Sequence, residues 1–285
     1  MDYVAPAEIV SEALLAAEKK SKLPPRDLFI RGTLGGGILA YAASLAYAAY
    51  SQGLPAIVGA IVFPVGFVML ILLGLELSTG GFALLPAALV DGRIGFGTML
   101  KNWMWVYAGN LLGSVIYAVL FYLAVSNFGT GNGGAIGDQL RLIAQKKTIG
   151  YAVLGAAGWG SAFVKAILCN WMVTLGVMLA FASRSTTGKI LAMWLPITTF
   201  FAHGYEHSVV NMFAIPAGMM LGAPVSFTQW WWWNEAPVTL GNIIGGAFFT
   251  GIALWSTFGQ RRESSMGKER RETADPTYAT AGEKR

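Results

Sequence analysis

Only two histidines occur in the 285 residues, and they sit four positions apart in His203-Gly-Tyr-Glu206-His207. That order fits H-x-x-E-H, in which two histidines on one helix face hold zinc and the glutamate activates a water. Yet the segment lies in an apolar run and contains a glycine. A related segment, Gly74-Leu-Glu76-Leu-Ser78, keeps the acid without either histidine. No metal site is expected. Another chemistry suits His207, because an imidazole titrates near neutral pH and can give a hydrogen bond or a proton to an anion. A small weak-acid anion is costly to desolvate in an apolar passage, and protonation removes much of that cost. The alternative is a buried neutral histidine bonded to Glu206 or Asn211, with a structural role alone.

The two acidic segments belong to a longer internal repeat. Gly74–Ser78 and Gly204–Ser208 both read G-x-E-x-S; Gly109–Gly113 and Gly241–Gly245 both read G-N-aliphatic-aliphatic-G. The interval from Glu76 to Asn110 is 34 residues and that from Glu206 to Asn242 is 36. If each repeat holds three spans, the halves enter a membrane in opposite directions, the inverted architecture of many channels and transporters. A carboxylate at membrane depth marks a pathway or a hydrogen-bond hub. Non-helical backbone is tolerated there only when packed in protein or lining a wet cavity. Helix breaks are therefore expected near Ser78–Gly81 and His203–Ser208, meeting around one central path. The paired glycines of the second motif, four residues apart on one helix face, suit close helix packing instead.

The elements that would position these groups are membrane helices. Hydrophobic residues make up 55% of the chain and charged residues 12%, about half the charged share of a soluble domain. Six apolar runs, Thr33–Tyr50, Leu54–Leu73, Val106–Val125, Ala166–Ala182, Ile190–Ala202 and Leu240–Trp255, approach the ~20 residues that a spanning helix needs. The net charge of +5 gathers at the ends. Lys19, Lys20, Lys22, Arg26 and Arg31 precede the first run, and Arg261, Arg262, Lys268, Arg270 and Arg271 follow the last. Both termini are therefore expected in the cytoplasm, of a cell inner membrane. The connector with Arg141, Lys146 and Lys147 breaks this rule; its lysines are a solvated loop or attract something negative. Residues 1–25 are read as a cytoplasmic amphipathic helix, 26–260 as the transmembrane domain and 261–285 as a disordered cytoplasmic tail. A single cysteine, Cys169, excludes an internal disulfide.

Five blocks, FPVGFVMLILLGLELSTG (Phe63–Gly80), KNWMWVYAGNLLG (Lys101–Gly113), ILCNW (Ile167–Trp171), GYEHSVVNMFAIP (Gly204–Pro216) and PVTLGNIIGG (Pro237–Gly246), resemble in order the signature blocks of the formate/nitrite transporter family. The resemblance implies an all-α, aquaporin-like protomer of six transmembrane helices in two inverted three-helix repeats, helices two and five interrupted. Five protomers would form a homopentamer in the lipid bilayer, each with its own pore. Family members carry nitrite, formate, hydrosulfide or bicarbonate-like anions. The resemblance puts Thr79 at the second-helix break and His207 at the centre, flanked by Glu206 and Asn211, with Asn170 and Asn242 beside the pore. Constrictions would fall on Phe63 and Phe67 on the cytoplasmic side, and on Ser78, Val173 and Phe200 on the outer side. Two departures stand out. The family commonly has an aromatic residue where Ser78 stands. Its lysine near the start of the fourth span meets Leu154 here, leaving Lys146 and Lys147 upstream, of which Lys147 is the candidate. No cofactor, enzyme activity or nucleic-acid partner is expected; a water or neutral-solute channel of similar shape is the alternative of another class.

Overall fold

The computed structural model describes residues 2–259, and within them every regular element is a helix. The expected tail at 261–285 lies outside the described residues. The chain opens with an amphipathic helix, α1 (Pro6–Ser21), which buries Val10, Ala13, Leu14 and Ala17. The first span is α2 (Pro25–Ser51). The second comprises α3 (Ala56–Val62) and α4 (Pro64–Leu72), a non-helical break at 73–77, and α5 (Ser78–Val90). The third is α6 (Phe96–Val125). A second amphipathic helix follows, α7 (Gly134–Lys147), then a single turn, α8 (Ile149–Ala152), and the fourth span, α9 (Ala156–Leu179). The fifth has α10 (Thr186–Ala202), a break at 203–207, and α11 (Ser208–Met220). The last begins at α12 (Phe227–Trp230) and continues through α13 (Ala236–Gly246), with π-helical turns at Trp231–Glu235 and Ala247–Ile252. As Phe227–Gly259 it joins α2, α6 and α9 as a helix long and apolar enough to cross a bilayer.

The repeat read from the sequence is thus larger than three spans. Each half begins with an amphipathic helix ending in lysine, α1 with Lys20 in its last turn and α7 with Lys147. Each also contains a half-helix of 13 residues with an internal proline, Pro86 in α5 and Pro216 in α11. The glycine pairs pack helices as expected. A Cβ on Gly113 would stand 1.8 Å from the Thr33 carbonyl oxygen of α2, and one on Gly245 would stand 2.3 Å from the Ile167 oxygen of α9. α2 therefore lies against α6, and α9 against α13, at backbone contact.

One expectation needs correction. The second-span break is at 73–77, before Ser78, and Ser78–Gly81 form the first turn of α5. The turn is made by Gly74, at φ +65°, and its counterpart in the fifth span is Gly204, at φ +64°. Both adopt the left-handed backbone that a side chain would strain, whereas Gly80 and Gly81 are ordinary helical residues.

Candidate functional site

Each break exposes backbone groups that nothing in a membrane interior would satisfy, and each is closed by one asparagine. Asn110 Oδ1 accepts from the Ser78 N–H at 2.9 Å, while its Nδ2 donates to the carbonyls of Gly32 at 2.8 Å and Glu76 at 2.9 Å. Asn242 repeats the pattern: its Oδ1 accepts from Ser208 N–H at 2.9 Å, and its Nδ2 donates to Ala166 at 2.9 Å and Glu206 at 3.0 Å. Three helices are pinned by each amide. Asn242, expected beside the pore, therefore spends its whole amide group on the fold and has no donor left for a substrate.

The two acids are paired in the same symmetric way. Lys20 at the end of α1 reaches Glu76 at 2.6 Å, and Lys147 at the end of α7 reaches Glu206 at 2.7 Å. Glu206 is the more fully served. Its Oε1 accepts from Tyr151 Oη at 2.7 Å; its Oε2 accepts from Lys147 and, at 2.7 and 3.3 Å, from the amides of Asn211 and Asn234. A buried carboxylate so surrounded is a structural anchor. Asn211 thus supports Glu206, and Lys147 is its counterion.

Thr79 and His207 do come together, across 128 positions of sequence, with Thr79 Oγ1 and His207 Nε2 3.1 Å apart. Both are buried, Thr79 completely. They occupy the N-terminal ends of the two half-helices: Thr79 is in the first turn of α5 and His207 is the N-cap of α11. His207 Nδ1 accepts the Val210 N–H at 3.3 Å. A nitrogen that accepts cannot also carry a proton, so the ring is the Nε2–H tautomer and its proton points at Thr79. Thr79 Oγ1 then accepts from the histidine, and its own hydroxyl proton has no acceptor among the described residues. In the first break the position of His207 is held by Leu77, which can neither cap a helix nor donate.

Asn170 braces this centre, its Nδ2 donating to the carbonyls of Thr79 at 3.0 Å and Asn242 at 2.6 Å; its Oδ1 is buried without a partner among the described residues. The hydroxyls of Ser78 and Ser208, first residues of the two half-helices, are likewise buried and unpartnered there. Phe200 lies against the His207 ring at 5.7 Å. Phe63 was expected on the opposite side of the centre from Phe200. Its ring instead lies 5.7 Å from that of Phe200 and stacks at 4.0 Å on Phe201, so both phenylalanines belong to one aromatic cluster. Phe67 and Val173 are buried in the same core.

A cavity approaches the centre from each face. On the α7 face a volume of about 500 Å³ reaches Phe200 and His207 and is lined by Lys146, Lys147, Lys165 and Tyr151. On the α1 face about 310 Å³ is lined by Lys20, Lys189, Leu77, Leu84 and Val177. Lys165 and Tyr151 were not singled out in the sequence. Lys165 Nζ donates to Tyr151 Oη at 3.3 Å, lies 5.3 Å from that ring's centre, and has no carboxylate partner among the described residues. Its position just before an apolar run was the available signal. The zinc geometry does not form. His203 is exposed, donates through Nδ1 to the Thr199 carbonyl at 2.8 Å and stacks on Tyr205, while Glu206 and His207 are engaged elsewhere. No cluster of three metal-ligating side chains exists among the described residues.

Comparison with known proteins accounts for this arrangement. The family model described as formate/nitrite transporter matches residues 7–256. The chain belongs to the formate/nitrite transporter family. A probable formate transporter of Methanothermobacter thermautotrophicus is 37% identical over 90% of this chain and 97% of its own length. The formate channel FocA of Escherichia coli K12 is 31% identical over 89% of this chain and 94% of its own. Among solved structures, an FNT family ion channel superposes with a TM-score of 0.76 at 26% identity, covering 88% of this chain and 98% of that one. A pentameric formate channel with formate bound gives 0.67, also at 26%, covering 82% and 97%. Formate/nitrite transporters are integral membrane proteins of transport, not enzymes, and the aquaporin-like fold of two inverted, interrupted halves is theirs.

Proposed function

We propose that the chain is a channel for small monovalent anions, formate or nitrite, assembled as a homopentamer with one pore per protomer. The observation that carries the reading is the Thr79–His207 hydrogen bond, set where the N-terminal ends of α5 and α11 converge between two lysine-bearing cavities. The partial positive charge at a helix N-terminus favours an anion. Both acids near the path are neutralised by Lys20 and Lys147, which leaves Lys146, Lys165 and Lys189 as the cations that draw an anion in. The relatives named for formate and the pentameric channel with formate bound support both substrate and assembly. The basic residues flanking α1 put that face in the cytoplasm, and the α7 face is then external.

At the centre, neutral His207 orients Thr79, whose free hydroxyl proton is offered to the anion. Donation of a proton by His207 would first require protonated Nδ1, and the Val210 N–H occupies that nitrogen. The proton-transfer reading therefore needs the first turn of α11 to release the ring. The test is flux into proteoliposomes with formate, nitrite, bicarbonate and hydrosulfide at two pH values, beside osmotic swelling in water alone. Saturable or gradient-driven anion flux supports the reading. Water permeation without anion flux favours the neutral-solute channel and overturns it.

A further inference from the structure

The α7-face cavity is larger than its small substrate needs. An anion of three heavy atoms requires roughly two or three times the ~30 Å³ share of one water, against about 500 Å³ here. Its walls are also not those of a hydrated funnel. Tyr50, Leu142, Leu154, Phe201 and Tyr205 supply an aromatic and aliphatic surface, and Lys165 projects an ammonium into it. Cavities of roughly 300–1,000 Å³ with mostly apolar walls and a few placed polar groups are those that hold organic ligands. The three lysines differ in what they can offer. Lys147 is committed to Glu206, and Lys146 is exposed at the rim. Lys165 is half-buried and holds only the long contact to Tyr151 Oη. The inner end is closed by Phe200 and His207, each 2% exposed.

We infer that this vestibule is a binding site for an amphipathic monocarboxylate larger than the conducted anion, of the aryl or short branched-alkyl class. The carboxylate sits on the Lys165 ammonium, since the Tyr151 hydroxyl proton is already given to Glu206, and the hydrocarbon body lies against the Tyr50, Phe201 and Tyr205 rings. Such a ligand is too large to pass the Phe63–Phe200 cluster, so it plugs the pore from the α7 face. The plugging rests on the conducting reading above; the binding does not.

Benzoate is the probe, with acetate as the carboxylate lacking a ring and benzamide as the ring lacking a charge. Binding to the purified full chain in nanodiscs is measured by saturation-transfer NMR, and formate flux is measured separately in proteoliposomes. Burial of the ring should make benzoate half-inhibit flux at a concentration at least about tenfold below acetate. Inhibition should act from one side of the membrane only, with benzamide at least about tenfold weaker than benzoate. Lys165→Gln should weaken benzoate binding about tenfold or more, and Lys165→Arg should restore most of it. Leu154→Gln, at an exposed wall position, should weaken benzoate but not acetate. Benzoate binding no tighter than acetate, equal binding of benzamide, or indifference to Lys165→Gln would each overturn the proposal. Formate flux with no benzoate binding sinks the site alone; benzoate binding with no flux of any anion sinks the conducting reading alone.

Discussion

Replacing Asn242 by leucine tests the fold's account of the second break. The substitution keeps side-chain size and removes three hydrogen bonds, to Ser208 N–H and to the Ala166 and Glu206 carbonyls. In membrane proteins such interhelical bonds average about 0.6 kcal/mol each and reach about 1.7, so the loss should be roughly 2–5 kcal/mol. At about 2–4 °C per kcal/mol for a domain of this size, the unfolding midpoint should fall by at least ~4 °C. Asn110→Leu is the internal control. It removes the same three kinds of bond at 2.9, 2.8 and 2.9 Å and should cost the same within ~0.5 kcal/mol. Both variants should also lower transport, because the Asn110 hub holds Ser78 beside Thr79 and the Asn242 hub holds the break that carries His207. Thermal unfolding in detergent, with flux on the same preparations, reads both quantities. Asn242→Leu with an unchanged midpoint would refute the hub, as would a twofold difference in cost between the variants.

Two further expectations concern charges. Glu206→Gln should destabilise by about 3 kcal/mol, the low end for breaking a buried ion pair, since the Lys147 side chain keeps 18% exposure. Adding Lys147→Met should recover most of that loss in a double-mutant cycle, and simple additivity would argue against the pairing. At the N-terminus the Asp2 carboxylate accepts from Ser183 Oγ and from the backbone N–H groups of Ser185 and Arg184, which hold its pKa below the ordinary 3.8. A lowered carboxyl pKa stabilises docking above the unfolded value. The contact should therefore be complete at neutral pH and weaken only as pH drops below 3.8 through the lowered value. Protease trimming of the first residues should stay constant through the neutral range, and Asp2→Asn should expose them at pH 7.

Much of this architecture was legible because the repeat is written in residues that geometry cannot exchange. Gly74 and Gly204 have to adopt positive φ, and Asn110 and Asn242 have to cap two half-helices, so both motifs survive in both halves. What those asparagines do was not legible. The glycines around them, four residues apart, read as packing, and the asparagines' bonds reach helices more than 30 positions away. Helix α7 does carry a helical signal, with Gly137, Leu140, Ile143 and Ala144 recurring three to four positions apart as the buried residues of α1 do. Arg141, Lys146 and Lys147 among them read as a connector instead. The Lys20–Glu76 and Lys147–Glu206 pairs join residues 56 and 59 positions apart, a distance that no local pattern encodes. Phe63 was put on the wrong side of the centre because a sequence lists span residues without their depth. His207 was legible from its own chemistry and Thr79 from the family resemblance; the tautomer that gives them their roles came from the Val210 amide, visible only in three dimensions.

That tautomer is where the account can be tested most directly. Formate flux should be compared for the native chain, His207→Gln and His207→Leu, with assembly of each verified by size-exclusion chromatography. Glutamine can donate to Thr79 but cannot carry a proton; leucine reproduces the first break, where Leu77 stands. If neutral His207 acts as a hydrogen-bond donor, His207→Gln should keep flux within about tenfold of native. His207→Leu should lose roughly 30–150-fold, the worth of about 2–3 kcal/mol from a hydrogen bond supporting a charged group. A glutamine variant as inactive as the leucine variant would contradict the account and show that His207 has to carry the proton.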